Sequence, residues 1–92
     1  MDKPTYPKEG TQGRIILEAL ISAPGQPVGV NILMRIAKCA AVHSSVATLR
    51  SKRGWDIRNQ LIWETNESGQ RIRHSEYHIP LAWLERIQRD AA

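Results

Sequence analysis

Hydrophobic positions recur at helical spacing near the start of the chain. Thr11 can cap a first helix that reaches about Ser22. Its apolar positions are Ile16, Leu17, Leu20 and Ile21. The proline- and glycine-rich residues 23–27 break this helix, and Val28–Val30 can form a short strand after it. The pattern predicts a helix, a loop and a short strand.

A second helix is predicted to begin at Asn31, as its N-cap, and to end near Lys38. The residues expected to face inward are Ile32, Leu33, Ile36 and Ala37. Residues 39–41 then make a turn. This order predicts that a short turn joins the second helix to a third.

The third predicted helix runs from Val42 to Arg53. Val42, Val46 and Leu49 repeat at i, i+4 and i+7, the spacing of a buried face, and Arg53 extends the row. At about 100° per residue, the opposite face carries Ser44, Ala47, Thr48 and Ser51, with His43, Arg50 and Lys52 on its flanks. Gly54 can take the left-handed conformation that ends a helix. The outer face therefore combines small hydrogen-bonding side chains with cations.

After Gly54 the pattern changes to strand alternation. Trp55, Ile57, Leu61 and Trp63 share one parity, and residues 66–69 are typical of a hairpin turn. A return strand is expected over residues 70–79, with Tyr77 and Ile79 pointing into the core. Pro80 begins a last amphipathic helix, whose apolar side is formed by Leu81, Leu84 and Ile87, with Trp83 beside them. The three tryptophans are expected to pack in the core or on the hairpin.

These elements predict one small α+β domain. Residues 1–10 are expected to be a flexible arm, residues 11–79 the domain itself, and residues 80–92 a C-terminal amphipathic helix. A hydrophobic fraction of 41% is high enough for a folded core, and no apolar run is long enough to cross a membrane. The polar start of the chain does not resemble a signal peptide.

The positive charge is concentrated in the middle of the chain. The formal net charge is +4, but residues 35–58 carry six cations against the single anion Asp56. A basic patch of this kind favours an anionic partner, although a solvated surface is the alternative explanation.

Other chemistry finds little support in the sequence. The lone Cys39 excludes an internal disulfide and fits a reducing cytoplasm. His74 and His78 lie about 13 Å apart on a strand, too far to share one metal ion. Adjacent His43, Ser44 and Ser45 diverge around a helix and cannot form a charge relay. We expect no enzyme activity, cofactor, metal, membrane or small-molecule substrate.

Three stretches resemble a known family: TQGRIILEAL, VHSSVATLRSKRGWDI and SEYHI. Together they are similar to the small winged helix-turn-helix domain proteins of bacteriophages and prophages. The matching features are Thr11-Gln12, Leu49-Arg50, Lys52-Arg53-Gly54, Ile57 and Tyr77. The resemblance implies a three-helix core, a two-stranded β-hairpin wing, and binding of double-stranded DNA by a small transcriptional regulator.

If the resemblance holds, the third helix enters the major groove and the wing contacts the phosphate backbone. The predicted DNA-binding residues are His43, Ser44, Ala47, Thr48, Arg50, Ser51, Lys52, Arg53, Arg58, Arg71 and Arg73. Arginines on an edge hairpin also prevent strand aggregation, so the wing contacts are the less specific part of this prediction. Glu64 and Glu67 lie near the tip of the hairpin and would repel phosphates, so the wing is expected to contact DNA over a small area.

Trp83, Leu84 and Ile87 on the last helix are predicted to contact a partner. This surface can cover the domain itself or pair with a second copy, and a homodimer would supply DNA specificity that one domain lacks. The rival function is a winged-helix protein–protein interaction module that does not bind DNA. RNA binding has less support, because no pair of stacking aromatics is expected on a sheet.

Overall fold

A computed structural model describes residues 3–91 as an α+β domain, with four helices and one three-stranded antiparallel sheet in that range. The elements are α1 (Gln12–Ser22), β1 (Val28–Gly29), α2 (Val30–Ala37), α3 (Val42–Ser51), β2 (Arg58–Thr65), β3 (Arg71–His78) and α4 (Leu81–Ala91). Their order and the α+β class confirm the prediction.

Helix α1 begins where the sequence predicted. The Thr11 hydroxyl accepts a hydrogen bond from the Arg14 backbone N–H at 3.3 Å, which satisfies one of the free donors of the first turn. Ile16, Leu17 and Leu20 are buried and pack against α2 and α3. The three helices therefore share one core.

The core also includes the base of the hairpin and one residue of α4. Its buried residues are Ile16, Leu17, Leu20, Leu33, Ala37, Cys39, Val42, Val46, Leu49, Trp55, Ile57, Tyr77, Ile79 and Leu84. No polar or charged residue in the described range is buried as a whole. Burial of these apolar side chains is the main stabilising contribution to a domain of this size.

Helix α2 departs from the prediction at both ends and on one face. Gly29 is its N-cap, so Asn31 lies inside the helix, and Lys38 ends it with a left-handed φ of 51°. Leu33 and Ala37 are buried as expected, but Ile32 and Ile36 are each 49% exposed. An eight-residue helix buries one narrow stripe, and these two isoleucines lie to the side of it.

Helix α3 ends at Ser51, with Lys52 as its C-cap, two residues earlier than predicted. Gly54 does adopt a positive φ of 78°. Its left-handed conformation turns the chain so that Trp55 N–H donates to the Leu49 carbonyl at 3.1 Å. Trp55 and Ile57 are buried, and strand β2 begins only at Arg58.

The sheet has the strand order β1-β3-β2, so β2 is an edge strand. The hairpin was predicted as a two-stranded unit, whereas β1 adds a third strand by pairing Val28 with Tyr77. Hairpin register is continuous from Arg58 opposite His78 to Thr65 opposite Arg71. At the turn, Gly69 has φ 86°, and the Asn66 side chain accepts hydrogen bonds from the Ser68 and Gln70 backbone N–H groups.

The outer half of the hairpin lies beyond the core. Leu61 and Trp63 share the parity of buried Trp55 and Ile57, yet they are 52% and 56% exposed. Of the two locations predicted for the tryptophans, the core and the hairpin, Trp63 therefore occupies the hairpin. Strand alternation fixes the face on which a side chain lies, but it does not say how far the body extends beneath that face.

The first residues make contacts that the expected flexible arm did not include. Thr5 N–H donates to the Arg53 carbonyl at 2.9 Å, and the Trp55 indole N–H donates to the Thr5 carbonyl at 2.7 Å. The Tyr6 ring lies edge-on to Trp55, with centroids 5.1 Å apart, and Pro7 is buried. This segment therefore lies against the end of α3.

Candidate nucleic-acid interface

The outer face of α3 is exposed over its full length. Ser44, Ala47, Thr48 and Ser51 all lie on the solvent side, opposite the buried stripe, as their spacing predicted. The Ser51 hydroxyl donates back to the Ala47 carbonyl at 2.8 Å, whereas no side-chain hydrogen bond occupies Ser44 or Thr48 among the described residues. Ser44 and Thr48 are therefore the residues best placed to donate to or accept from a ligand.

One side of α3 contacts the hairpin and the residues just before it through side-chain hydrogen bonds. Nδ1 of His43 forms a hydrogen bond with the Tyr77 hydroxyl on β3. Arg50 donates through Nε to the Ile57 carbonyl at 2.6 Å, and its guanidinium lies 5.7 Å from the centroid of the Tyr77 ring. Burial raises the pKa of the Tyr77 phenol, and the nearby positive charge of Arg50 opposes that shift only in part. His43 and Arg50 therefore connect α3 to the sheet and remain exposed.

The other end of α3 meets the N-terminal segment. Nη1 of Arg53 donates to the Tyr6 carbonyl at 3.1 Å, so this predicted DNA-binding residue is turned toward that segment. Lys52 stays exposed, and it lines a cleft of about 340 Å³ with Lys3 and Arg53. This cleft brings Lys3 close to two cations that lie about fifty residues later in the sequence.

A larger cleft of about 400 Å³ separates the segment around Pro7 and Lys8 from α3. Ser44, Ser45 and Thr48 line its α3 side. Sequence reasoning missed Lys3 and Lys8 as contributors to this surface. Nothing in the local pattern could have identified them, because the contacts that bring them here span about fifty residues of chain.

The hairpin separates its charges onto two faces. In the observed register, residues 59, 61, 63 and 65 share a face with residues 71, 73, 75 and 77. This face, which we call the Tyr77 face, carries Arg71 and Arg73 and no carboxylate. Since Tyr77 contacts His43, the Tyr77 face adjoins α3.

Arg58 lies on the opposite face of the hairpin, away from the other predicted DNA-binding residues. Its guanidinium pairs with the Asp56 carboxylate at 3.3 Å. Glu64 and Glu76 are also on that face, where they flank His74 at 3.7 and 3.9 Å. The structure therefore brings Arg71 and Arg73 to the α3 side of the hairpin and leaves Arg58 on the other.

Helix α4 directs its apolar side toward its own domain. Leu84 belongs to the core, and the Trp83 ring packs against Trp55 with centroids 5.7 Å apart. Ile87 is half-buried. Of the two uses left open for this surface, the structure has it covering the domain. Leu81, at the start of the same helix, is 50% exposed and does not follow this pattern. The other exposed large apolar side chains of the described residues lie outside α4: Tyr6, Ile32, Met34, Ile36, Leu61, Trp63 and Ile72.

No cluster of three or more His, Cys, Asp or Glu side chains in the described range has the geometry of a metal site. No single helix there is long and apolar enough to span a membrane, although α2 and α3 together, bent by 94°, reach that length and composition. Comparison with models of known protein families finds no match to this chain. A comparison with curated proteins likewise finds none.

Proposed function

We propose that this chain is a winged helix-turn-helix domain that binds double-stranded DNA, with α3 as the recognition helix and the β2–β3 hairpin as the wing. The observation that carries the proposal is the outer face of α3, where small hydrogen-bonding side chains lie between cations. An α-helix fits the major groove, and Ser and Thr hydroxyls and an Ala methyl group match the edges of bases there.

The distribution of charge around α3 supports the same arrangement. Lys52 and Lys3 lie at one end of the helix, and Arg50 lies at the side where the Tyr77 face begins. Arg71 and Arg73 continue this face outward. Cations on both sides of a polar helix suit two phosphate backbones that border one groove.

A role as a small phage or prophage transcriptional regulator in the cytoplasm is part of this proposal, and it rests on the resemblance and on the single cysteine. A homodimer through Trp83, Leu84 and Ile87 is not included, because Leu84 is buried within the chain and Trp83 packs on Trp55. Any second copy would have to bind at another surface.

The test is binding of the purified chain to a random-sequence duplex at several salt concentrations. Arg50→Ala combined with Lys52→Ala should weaken binding to all sequences and flatten the log–log salt dependence by nearly two units, at about 0.9 per phosphate contact. Arg86→Ala combined with Arg89→Ala removes the same charge from exposed positions of α4 and should leave binding nearly unchanged. Equal losses in both double variants would contradict a DNA-binding role for α3.

The alternative is a protein–protein interaction module without DNA binding. One observation favours it: Ile32 and Ile72 are exposed and line a common cleft of about 500 Å³, with exposed Ile36 one turn further along α2. Absence of duplex binding even at low salt, together with self-association or partner binding that Ile32→Ser abolishes, would favour this module.

A further inference from the structure

Among the residues that the structure describes, Trp63 is the most exposed large hydrophobic residue, at 56%, and the proposed function gives it no role. Trp55, in contrast, is 3% exposed and belongs to the core. An indole that is exposed near the outer end of a hairpin leaves much of its apolar surface in water and gains little burial free energy. A ligand with an aromatic or apolar surface could bury this part of the indole.

Two arginines cover one side of this indole. The guanidinium carbons of Arg71 and Arg73 lie 5.2 and 5.9 Å from the Trp63 ring centroid. Both arginines come from β3, which pairs with β2 along the hairpin. Since β2 is an edge strand in the described part of the chain, no strand lies on the other side of Trp63. One side of the ring is thus open.

The surroundings of Trp63 suit an anionic aromatic ligand. Arg71 and Arg73 share the Tyr77 face with it, and the carboxylates of Glu64 and Glu76 lie on the opposite face. Aromatic rings stack on nucleobases, and arginines beside them contact phosphates, in proteins that bind single-stranded nucleic acid. Nucleobases joined by phosphates match both parts of this surface.

We propose that Trp63 stacks on one unpaired base of DNA while Arg71 and Arg73 contact the neighbouring phosphates. This inference rests on the proposed function and adds to it that the preferred DNA is a duplex with a short unpaired segment. An indole with a single open side can take one base. Insertion into an intact duplex would require two open sides and the unstacking of a base-pair step.

The length of the hairpin indicates where the unpaired base lies. Arg73 lies four positions along β3 from Tyr77, which contacts α3, and four steps of strand correspond to roughly 13 Å. At about 3.4 Å per base pair, that distance is about four base pairs. The unpaired segment should therefore begin close to the duplex that α3 contacts.

The experiment compares three DNAs by fluorescence anisotropy with the full chain: a blunt duplex, the same duplex with four unpaired thymines, and the same duplex with four abasic residues. The 5′ and 3′ extensions are measured separately. The abasic extension has the charge of the thymine extension but no bases. We expect the thymine extension, on at least one strand end, to bind at least about fivefold more tightly than the abasic one.

Three variants assign that preference to the indole. Trp63→Ala should abolish it, and Trp63→Phe should keep most of it, because an aromatic ring remains. Leu61→Ala removes a neighbouring side chain of similar exposure from the same face and should leave the preference unchanged. Both positions are exposed, and circular dichroism checks that each of the three variants remains folded.

Equal affinity for thymine and abasic extensions at both ends would overturn the inference, as would a preference that Trp63→Ala leaves intact. The proposed function is tested separately by the blunt duplex. If Arg50→Ala with Lys52→Ala weakens binding to all three DNAs and keeps their ratio, both statements hold. Trp63-dependent binding of extended DNA without binding of the blunt duplex would keep the inference and overturn the α3 proposal; binding to no DNA would overturn both.

Discussion

Helices α2 and α3 contact the same core but expose very different outer faces. Each buries a stripe at i, i+4 spacing: Leu33 and Ala37 in α2, and Val42 and Val46 in α3, with Leu49 continuing the latter. On the outside, α2 exposes Ile32, Met34 and Ile36, whereas α3 exposes Ser44, Ala47, Thr48 and Ser51. The inner stripe is required for packing. The outer face is free of that requirement, so its chemistry indicates what each helix meets in solution.

The largest expected effect tests the inner stripes. Leu33→Ala and Leu49→Ala each remove a side chain that is at most 1% exposed, and each should lower the free energy of unfolding by about 2–5 kcal/mol. The neighbouring changes Ile32→Ala and Thr48→Ala should each cost less than about 1 kcal/mol. Urea denaturation measures all four. A loss from Ile32→Ala as large as that from Leu33→Ala would show that both sides of α2 are packed.

The next effect tests the outer faces against each other. Thr48→Glu places a carboxylate on the exposed face of α3 and should weaken duplex binding by about tenfold or more at low salt, because it meets phosphates. Ile36→Glu adds the same charge to the exposed face of α2 and should change affinity by less than about twofold. Anisotropy titrations with one duplex measure both. Equal weakening would mean that overall charge, and not the α3 surface, governs binding.

A smaller effect concerns which sequences are bound. Thr48→Ala should change the relative affinity among duplexes by about fivefold while average affinity changes little, because one hydroxyl discriminates bases but contributes little to binding overall. Ser51→Ala is the matched control, since the Ser51 hydroxyl already donates to the Ala47 carbonyl. Selection from a randomised duplex pool compares the preferred sites. Identical sites for wild type and Thr48→Ala would contradict base reading by Thr48.

The smallest effect concerns the hydrogen bond between the exposed side of α3 and the sheet. Tyr77→Phe removes the hydroxyl that bonds to His43 and should cost about 0.5 kcal/mol near neutral pH, at the low end for a hydrogen bond because water can reach His43.

The same variant should change the pH dependence of stability. Burial raises the pKa of the Tyr77 phenol above its usual value near 10. The unfolded chain therefore ionises first, and the stability contributed by burying the neutral phenol is present below about pH 10 and lost as the pH rises further. Tyr77→Phe should show a shallower alkaline loss in urea titrations than wild type.

Much of the fold could be predicted because its signals are local. The cap at Thr11, the stripe of α3 and the hairpin turn at Gly69 each depend on residues within a few positions of one another. The prediction was wrong where a boundary depends on a distant surface. Ile32 and Ile36 have helical spacing, but both are exposed. The elements that pack against α2 determine how wide a face it buries, and local spacing does not specify those elements.

The sequence predicted the part of the candidate site that lies on α3. The prediction was incomplete for the part that several segments build together. The exposed residues of α3 follow from periodicity alone. The separation of Arg58 from Arg71 and Arg73 depends on hairpin register, which fixes the face of every side chain at once. The contribution of Lys3 depends on contacts between Thr5 and the residues around Arg53, and no local pattern indicates them.

The course of residues 3–7 has a practical consequence for anyone who handles this protein. Because Thr5 is hydrogen-bonded to Arg53 and Trp55, Lys3 lies beside the cationic end of α3, and a fusion on its N-terminal side is joined to the domain near this end. Under the proposed function, an acidic affinity tag or a bulky fusion partner at that position would compete with nucleic acid for this end of the helix. A tag placed after α4 avoids this arrangement. The difference in affinity between the two fusions, compared in one binding assay, would measure how strongly a group near Lys3 obstructs this surface.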